Sequence, residues 1–196
     1  MIEINLPTGS KGDLAEKCPA AMAYPWIEDL TEKADDGKIM HSFLEVCNTR
    51  GEEEALAELD LHNNKKLSTR ARSIDLSRLP IGPEYQVEVA FLYDVLTGES
   101  TRLGSCIGRN YPKRTDSQIC FTVDVLRVDK DKSTVYVWDY KTGRSTPPTP
   151  TAAFQTNMAA LGVARHYACE RAEVFFIHIP DFIPYFYSGK LDEIDL

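Results

Sequence analysis

The 196-residue chain predicts an α/β fold in the order α-β-β-β-α-β, with a mixed central sheet flanked by helices. Three observations predict it. Ile39, Phe43 and Val46 recur at helical spacing within residues 34–60. Residues 84–141 hold successive alternating or apolar runs separated by turn signals. The helical stretch TAAFQTNMAALGVARHYACERA then leads into AEVFFIHIP, an apolar run of the kind found in a buried strand.

Taken in order, the first helical region has an acidic second half interrupted at Gly51, which predicts two helices or one that bends. The segment NNKKLSTRARSIDLSR, 63–78, is polar and basic, and Leu79-Pro80-Ile81-Gly82-Pro83 closes it with breakers. EYQVEVAFLYD, 84–94, alternates as a strand, and the turn at Thr97-Gly98-Glu99 predicts a hairpin continuing from Arg102 to Ile107. TPPTPT, 146–151, is a loop, and the chain shows no internal repeat.

Residues 119–143, ICFTVDVLRVDKDKSTVYVWDYKTG, predict a second hairpin turning at Asp129-Lys130-Asp131-Lys132-Ser133. Any even-length loop centred between Asp131 and Lys132 pairs residues whose numbers sum to 263, which sets Asp124 opposite Asp139. Opposed residues share a face with Cβ atoms about 4.5–5.5 Å apart. The same register places Leu126 against Val137 and Thr122 against Lys141, with Val125, Val123 and Phe121 meeting Trp138, Tyr140 and Thr142 on the other face. Both faces are therefore largely apolar, and two carboxylates facing each other there need a positive group between them. Lys141 is one candidate and a divalent metal the other; Asp139 and Lys141 share a face by two-residue periodicity. The alternative is an odd-length loop, which turns the two aspartates to opposite faces as solvated acids.

The length suits one domain over residues 1–196. A hydrophobic content of 43% with 27% charged residues excludes disorder along the whole chain. The formal net charge of −8 argues against attachment to nucleic acid by bulk charge, so any DNA contact must be local. No apolar run approaches the ~20 residues of a membrane span, and the N-terminus lacks a signal-peptide core, so a cytoplasmic location without membrane partners is expected. The five cysteines form no C-x-x-C pair, which points to reduced thiols in the core.

The order Gly37-x-x-x-His41, Asp124, Asp139-Tyr140-Lys141-Thr142-Gly143 and Gln155 resembles the RecB-like branch of the PD-(D/E)XK nucleases, among them the CRISPR-associated exonucleases. The resemblance runs from about residue 15 to residue 180, and DYKTG after VYVW is its most specific part. It implies a restriction-endonuclease-like αβββαβ core. It also implies that His41, Asp124 and Asp139 bind Mg²⁺ or Mn²⁺ and that Lys141 acts at the attacking water, while Gln155 is characteristic of the helix after DYKTG. The backbone carbonyl of Tyr140 can add an oxygen to the same cation. The chain departs from the pattern at Phe121, where a glycine is usual, and at Ala159, where a tyrosine is frequent; the nearest tyrosine is Tyr167. Neither position is a ligand in the family, so the cation site is expected to survive. Some relatives hold an iron–sulfur cluster. Cys18-Pro19 resembles their N-terminal element, yet Cys169 alone follows DYKTG, so no cluster is expected.

These readings point to a divalent-metal-dependent DNA nuclease, and the resemblance points to an exonuclease. One alternative is a catalytically degenerate module that binds nucleic acid or a partner; another is a structural domain of a recombination or phage complex. Glu88, on the face of Ala90 and Leu92, is an added ligand or an edge-strand acid. Gln155 can hydrogen-bond substrate or ligand, or stand solvated. Lys65, Lys66, Arg70, Arg72 and Arg78, with Lys113 and Arg114 beside Tyr111, can track a phosphate backbone or form a solvated face.

Overall fold

Glycine conformational freedom sets the first helix boundary among the described residues. The computed structural model describes residues 32–108, 110–142, 154–179 and 183–190. Within them α1, Glu32–Thr49, ends where Gly51 adopts φ 98°, and the N–H groups of Arg50 and Gly51 both return to the Val46 carbonyl. Helix α2, Glu52–Leu61, follows with Glu52, Glu53 and Glu54 in its first turn, where the helix dipole favours anions. The expected break at Gly51 is therefore present. The polar segment after it is helical: α3, Lys65–Arg72, is capped by Asn64, whose side chain accepts the Leu67 N–H at 3.2 Å, and a 3₁₀ turn follows at Leu76–Arg78.

The sheet contains β1 (Gln86–Asp94), β2 (Ser100–Ser105), β3 (Gln118–Asp129), β4 (Thr134–Lys141), β5 (Arg171–His178) and β6 (Ile183–Lys190), in the spatial order β2-β1-β3-β4-β5-β6. It is mixed. Helix α4, Phe154–Tyr167, is the crossover that lets β5 run parallel to β4, and every other neighbouring pair is antiparallel. Strand β5 matches the buried strand expected at AEVFFIHIP, and β6 is a strand that periodicity did not announce. The TPPTPT loop, Cys18 and Gly143 lie outside the described residues.

Each face of the sheet has its own core. Met40, Phe43, Leu44 and Cys47 of α1, with residues of α2 and α3, pack on Val87, Val125, Tyr140 and Ile177. On the other face Met158, Leu161, Val163 and Ala164 of α4 pack on Val89, Phe91, Phe121, Val123, Leu126, Val137 and Val174. Among the described residues no helix is long and apolar enough to cross a membrane. Cys47, Cys120 and Cys169 are buried free thiols, and Cys106 is an exposed one.

Phe121 finds its space through a glycine on the opposing helix. Its ring stacks on Phe91 with centroids 5.5 Å apart, and a Cβ added to Gly162 of α4 would lie 2.4 Å from Phe121 Cζ. Gly162→Ala should therefore cost about 1–3 kcal/mol by overpacking. Combined with Phe121→Leu, which shortens the ring side, the loss should be smaller than the sum of the two single losses. Urea unfolding of the four proteins checks this, and strict additivity would show that ring and helix do not meet.

Candidate metal centre

The site begins at a rung where two neighbouring strands lose their alternation together. In β1, Val87 belongs to the core under α1–α3 and Val89 to the core under α4, although residues two apart share a face in a regular strand. In β3, Val125 and Val123 are split in the same way. The β1–β3 register runs Val87↔Val125 and Val89↔Val123, so the irregular rung between them carries Glu88 and Asp124. Glu88 has φ 46°, a left-handed conformation that costs a non-glycine residue on the order of 1–3 kcal/mol.

The β3–β4 hairpin forms in the expected sum-to-263 register from Asp129↔Thr134 to Val125↔Trp138. There the pairing of β3 with β4 stops. At the next rung the Tyr140 N–H donates to Asp124 Oδ2 at 2.7 Å, so a side chain takes the place of a strand partner. Because the β3–β4 register ends there, the expected Asp124–Asp139 and Thr122–Lys141 strand pairs do not form, and the Thr122 hydroxyl meets that of Tyr111 at 2.8 Å. The expectation that Phe121 and Val123 share a face with Val125 fails for the same reason: the strand changes face at Asp124.

His41 comes to this rung from α1. Gly37 lies one turn before it, where a Cβ would stand 3.4 Å from Thr142 Oγ1 just past β4, so this turn of the helix packs beside the end of that strand. His41 Nδ1 lies 3.5 Å from Asp124 Oδ2. Single ligand atoms of His41, Glu88 and Asp124 all fall within 4.8 Å of one another. Metal–ligand bonds of about 2.0–2.6 Å let one cation bridge that span. Glu88, weighed in the sequence against an edge-strand acid, thus stands in the cluster; the legible signal was an acid on the inward side of an apolar strand.

Asp139 and Lys141 form the adjoining pair. Lys141 Nζ lies 2.5 Å from Asp139 Oδ2, with side-chain exposures of 27% and 13%. Gln155, near the start of α4, points its Oε1 to 3.4 Å from the same nitrogen. Two-residue periodicity had placed Asp139 and Lys141 on one face, and they meet there.

Asp124 carries the electrostatic tension of the site. Burial pushes its carboxyl up to about 6, against the pull of His41, with neighbouring Asp139 adding to the rise and the Tyr140 N–H and Lys141 opposing it. An anionic Asp124 is thus under-compensated by the protein's own groups, and the imidazole–carboxylate donor set fits a hard or borderline divalent cation.

The basic residues are mostly elsewhere engaged. Arg70 Nη2 donates to the Thr142 carbonyl at 2.7 Å and ties α3 to the end of β4, while Arg72 pairs with Asp60 at 2.7 Å. Lys65, Lys66 and Lys113 are exposed, Arg78 is exposed on the 3₁₀ turn, and Arg114 is half-buried before β3. Of this set, Arg70 reaches the end of the strand that carries Lys141.

No family model matches the chain, and no curated protein matches it. Among solved structures it is similar to the crystal structure of SSO0001, at 16% sequence identity over 92% of this chain and 77% of that chain, with a TM-score of 0.31. A likeness that loose carries no argument about fold or function.

The Asp124 shift fixes the sign of a pH effect. An ordinary aspartate titrates near 3.9 in the unfolded chain, so between about pH 4 and pH 6 the native state holds this proton more tightly than the unfolded state. Stability from this group is full below about pH 4 and is lost as pH rises through about 6, by roughly 3 kcal/mol. Without divalent cations, Asp124→Asn should flatten that part of the stability–pH curve, and Mn²⁺ should raise the melting temperature of the wild type more at pH 7.5 than at pH 5. Equal Mn²⁺ effects at both pH values would contradict the assignment.

Proposed function

We propose that the chain is a divalent-metal-dependent DNA nuclease with a restriction-endonuclease-like αβββαβ core. The core elements supporting this are α1, the three antiparallel strands β1, β3 and β4, the crossover α4, and β5 parallel to β4; β2 and β6 extend the sheet at its edges. One observation carries the functional reading: an imidazole and two carboxylates converge beside a lysine–carboxylate pair on the adjoining strand.

In this reading His41, Glu88 and Asp124 hold Mg²⁺ or Mn²⁺, with Asp139 and the Tyr140 carbonyl beside them. When bound, the cation neutralises charge on the phosphoryl oxygens and makes water a stronger nucleophile at neutral pH. The protein's own groups do the rest. Asp139 and Gln155 orient Lys141, whose ammonium places the attacking water and offsets the charge that develops in the transition state. Lys65, Lys66 and Lys113 are exposed cations available to a phosphate backbone, which suits a chain of net charge −8 that needs local rather than bulk attraction. Exonuclease action rests on the sequence resemblance alone. The two departures from that resemblance, Phe121 and Ala159, both lie in the core under α4, so they concern packing there.

Incubation of end-labelled single- and double-stranded DNA with Mg²⁺, Mn²⁺ or EDTA tests the reading. Cleavage is expected with either metal and not with EDTA. Lys141→Ala should lower the rate by about 10²-fold or more while leaving calorimetric Mn²⁺ affinity nearly unchanged, because an ammonium donates no lone pair to a cation. Wild-type protein that cuts no DNA with any metal, or a Lys141→Ala protein as fast as wild type, would overturn the assignment.

A further inference from the structure

Lys141 has one more neighbour, and it is apolar. Its ammonium sits over the Phe176 ring, 4.6 Å from the centroid. Phe176 is 1% exposed on β5, where the parallel register pairs it directly with Asp139 and pairs His178 with Lys141. Tyr140 and Ile177 form the rung between these two, and the Ile179 N–H donates to the Lys141 carbonyl at 3.0 Å. The ring is therefore fixed by the ladder that fixes Asp139, and it is too buried to move aside.

We propose that Phe176 is a positioning residue for Lys141. The inference rests on the nuclease reading for its catalytic consequence. A lysine side chain is a flexible four-carbon stem ending in a compact charge, so a single contact to Asp139 leaves the ammonium free to swing about the carboxylate. The negative π face of Phe176 adds a second, directional attraction from below, and Gln155 Oε1 supplies a third at 3.4 Å. Three contacts from β4, β5 and α4 hold the nitrogen at one point. Phe176 is closed off from solvent and meets the site through the Lys141 ammonium, so its effect on the reaction passes through the lysine.

Two replacements separate the π face from bulk. Phe176→Leu keeps an apolar side chain without the ring, and 3,4,5-trifluorophenylalanine incorporated at position 176 keeps the ring's outline while weakening its negative face. Both should lower kcat on labelled DNA, the leucine variant by about tenfold or more, with KM and Mn²⁺ affinity within twofold of wild type and the fluorinated protein melting as wild type does. A spectroscopic readout does not depend on cleavage. After reductive ¹³C-methylation, which keeps the charge, the Lys141 methyl signal, assigned by its loss in Lys141→Arg, should show an upfield ring-current shift that Phe176→Leu abolishes. Unchanged kcat in both variants, or a methyl shift identical in wild type and Phe176→Leu, would overturn the proposal. A wild type that shows the ring-current shift yet cuts no DNA would retain the lysine seat and overturn the nuclease reading.

Discussion

The Asp124 carboxylate accepts the Tyr140 N–H at the rung where β3 and β4 cease to pair, and the site depends on that substitution of a side chain for a strand. A regular ladder would continue with backbone partners and turn each successive side chain to the opposite face. Here the bond satisfies the Tyr140 donor while the strand changes face, so β4 can go on to pair with β5 through Lys141 without leaving a buried N–H unmade. Glu88 bears the matching distortion in β1, where its carbonyl still accepts the Cys106 N–H at 2.8 Å. Both acids are carried by the same broken rung. Helix α1, which passes the end of β4 at Gly37, brings the imidazole to them.

Charge is divided unequally across this arrangement. Asp139 has its counter-ion in Lys141, whereas Asp124 has an imidazole at 3.5 Å and one backbone donor, and its carboxyl is raised. Burial of an acid without a full partner is unfavourable, and the fold tolerates it because tight cores on both faces of the sheet stabilise the strands on either side. The raised carboxyl, Asp124, is the acid that lies beside His41 and Glu88. On the proposed reading, that asymmetry suits a cation seated among these three, with Lys141 left to the water and the phosphate.

Much of this was legible in the sequence because it follows from periodicity. The four residues between Asp129 and Thr134 form an even-length loop, which made the register calculable, and Asp139 and Lys141 share a face in any strand. Gly51 announced the end of the first helix. The end of the ladder past Val125 was not legible, since alternation of side chains carries no sign of where two strands part. Nor was the face change of Phe121 and Val123, which depends on Gly162 opposite one of them and on the rung beside the other. The bond of Arg70 to the Thr142 carbonyl was not legible, because it joins residues 72 apart in the chain. Glu88 was ambiguous because its left-handed backbone is imposed by tertiary structure.

The central claim is the location of the cation, and anomalous diffraction from crystals of the protein grown with Mn²⁺ tests it most directly. The account predicts a peak within bonding distance of a His41 ring nitrogen and carboxylate oxygens of Glu88 and Asp124, with the Lys141–Asp139 pair intact beside it. A peak held by Asp139 and away from His41 and Glu88, or no peak in this cleft at saturating Mn²⁺, would contradict it.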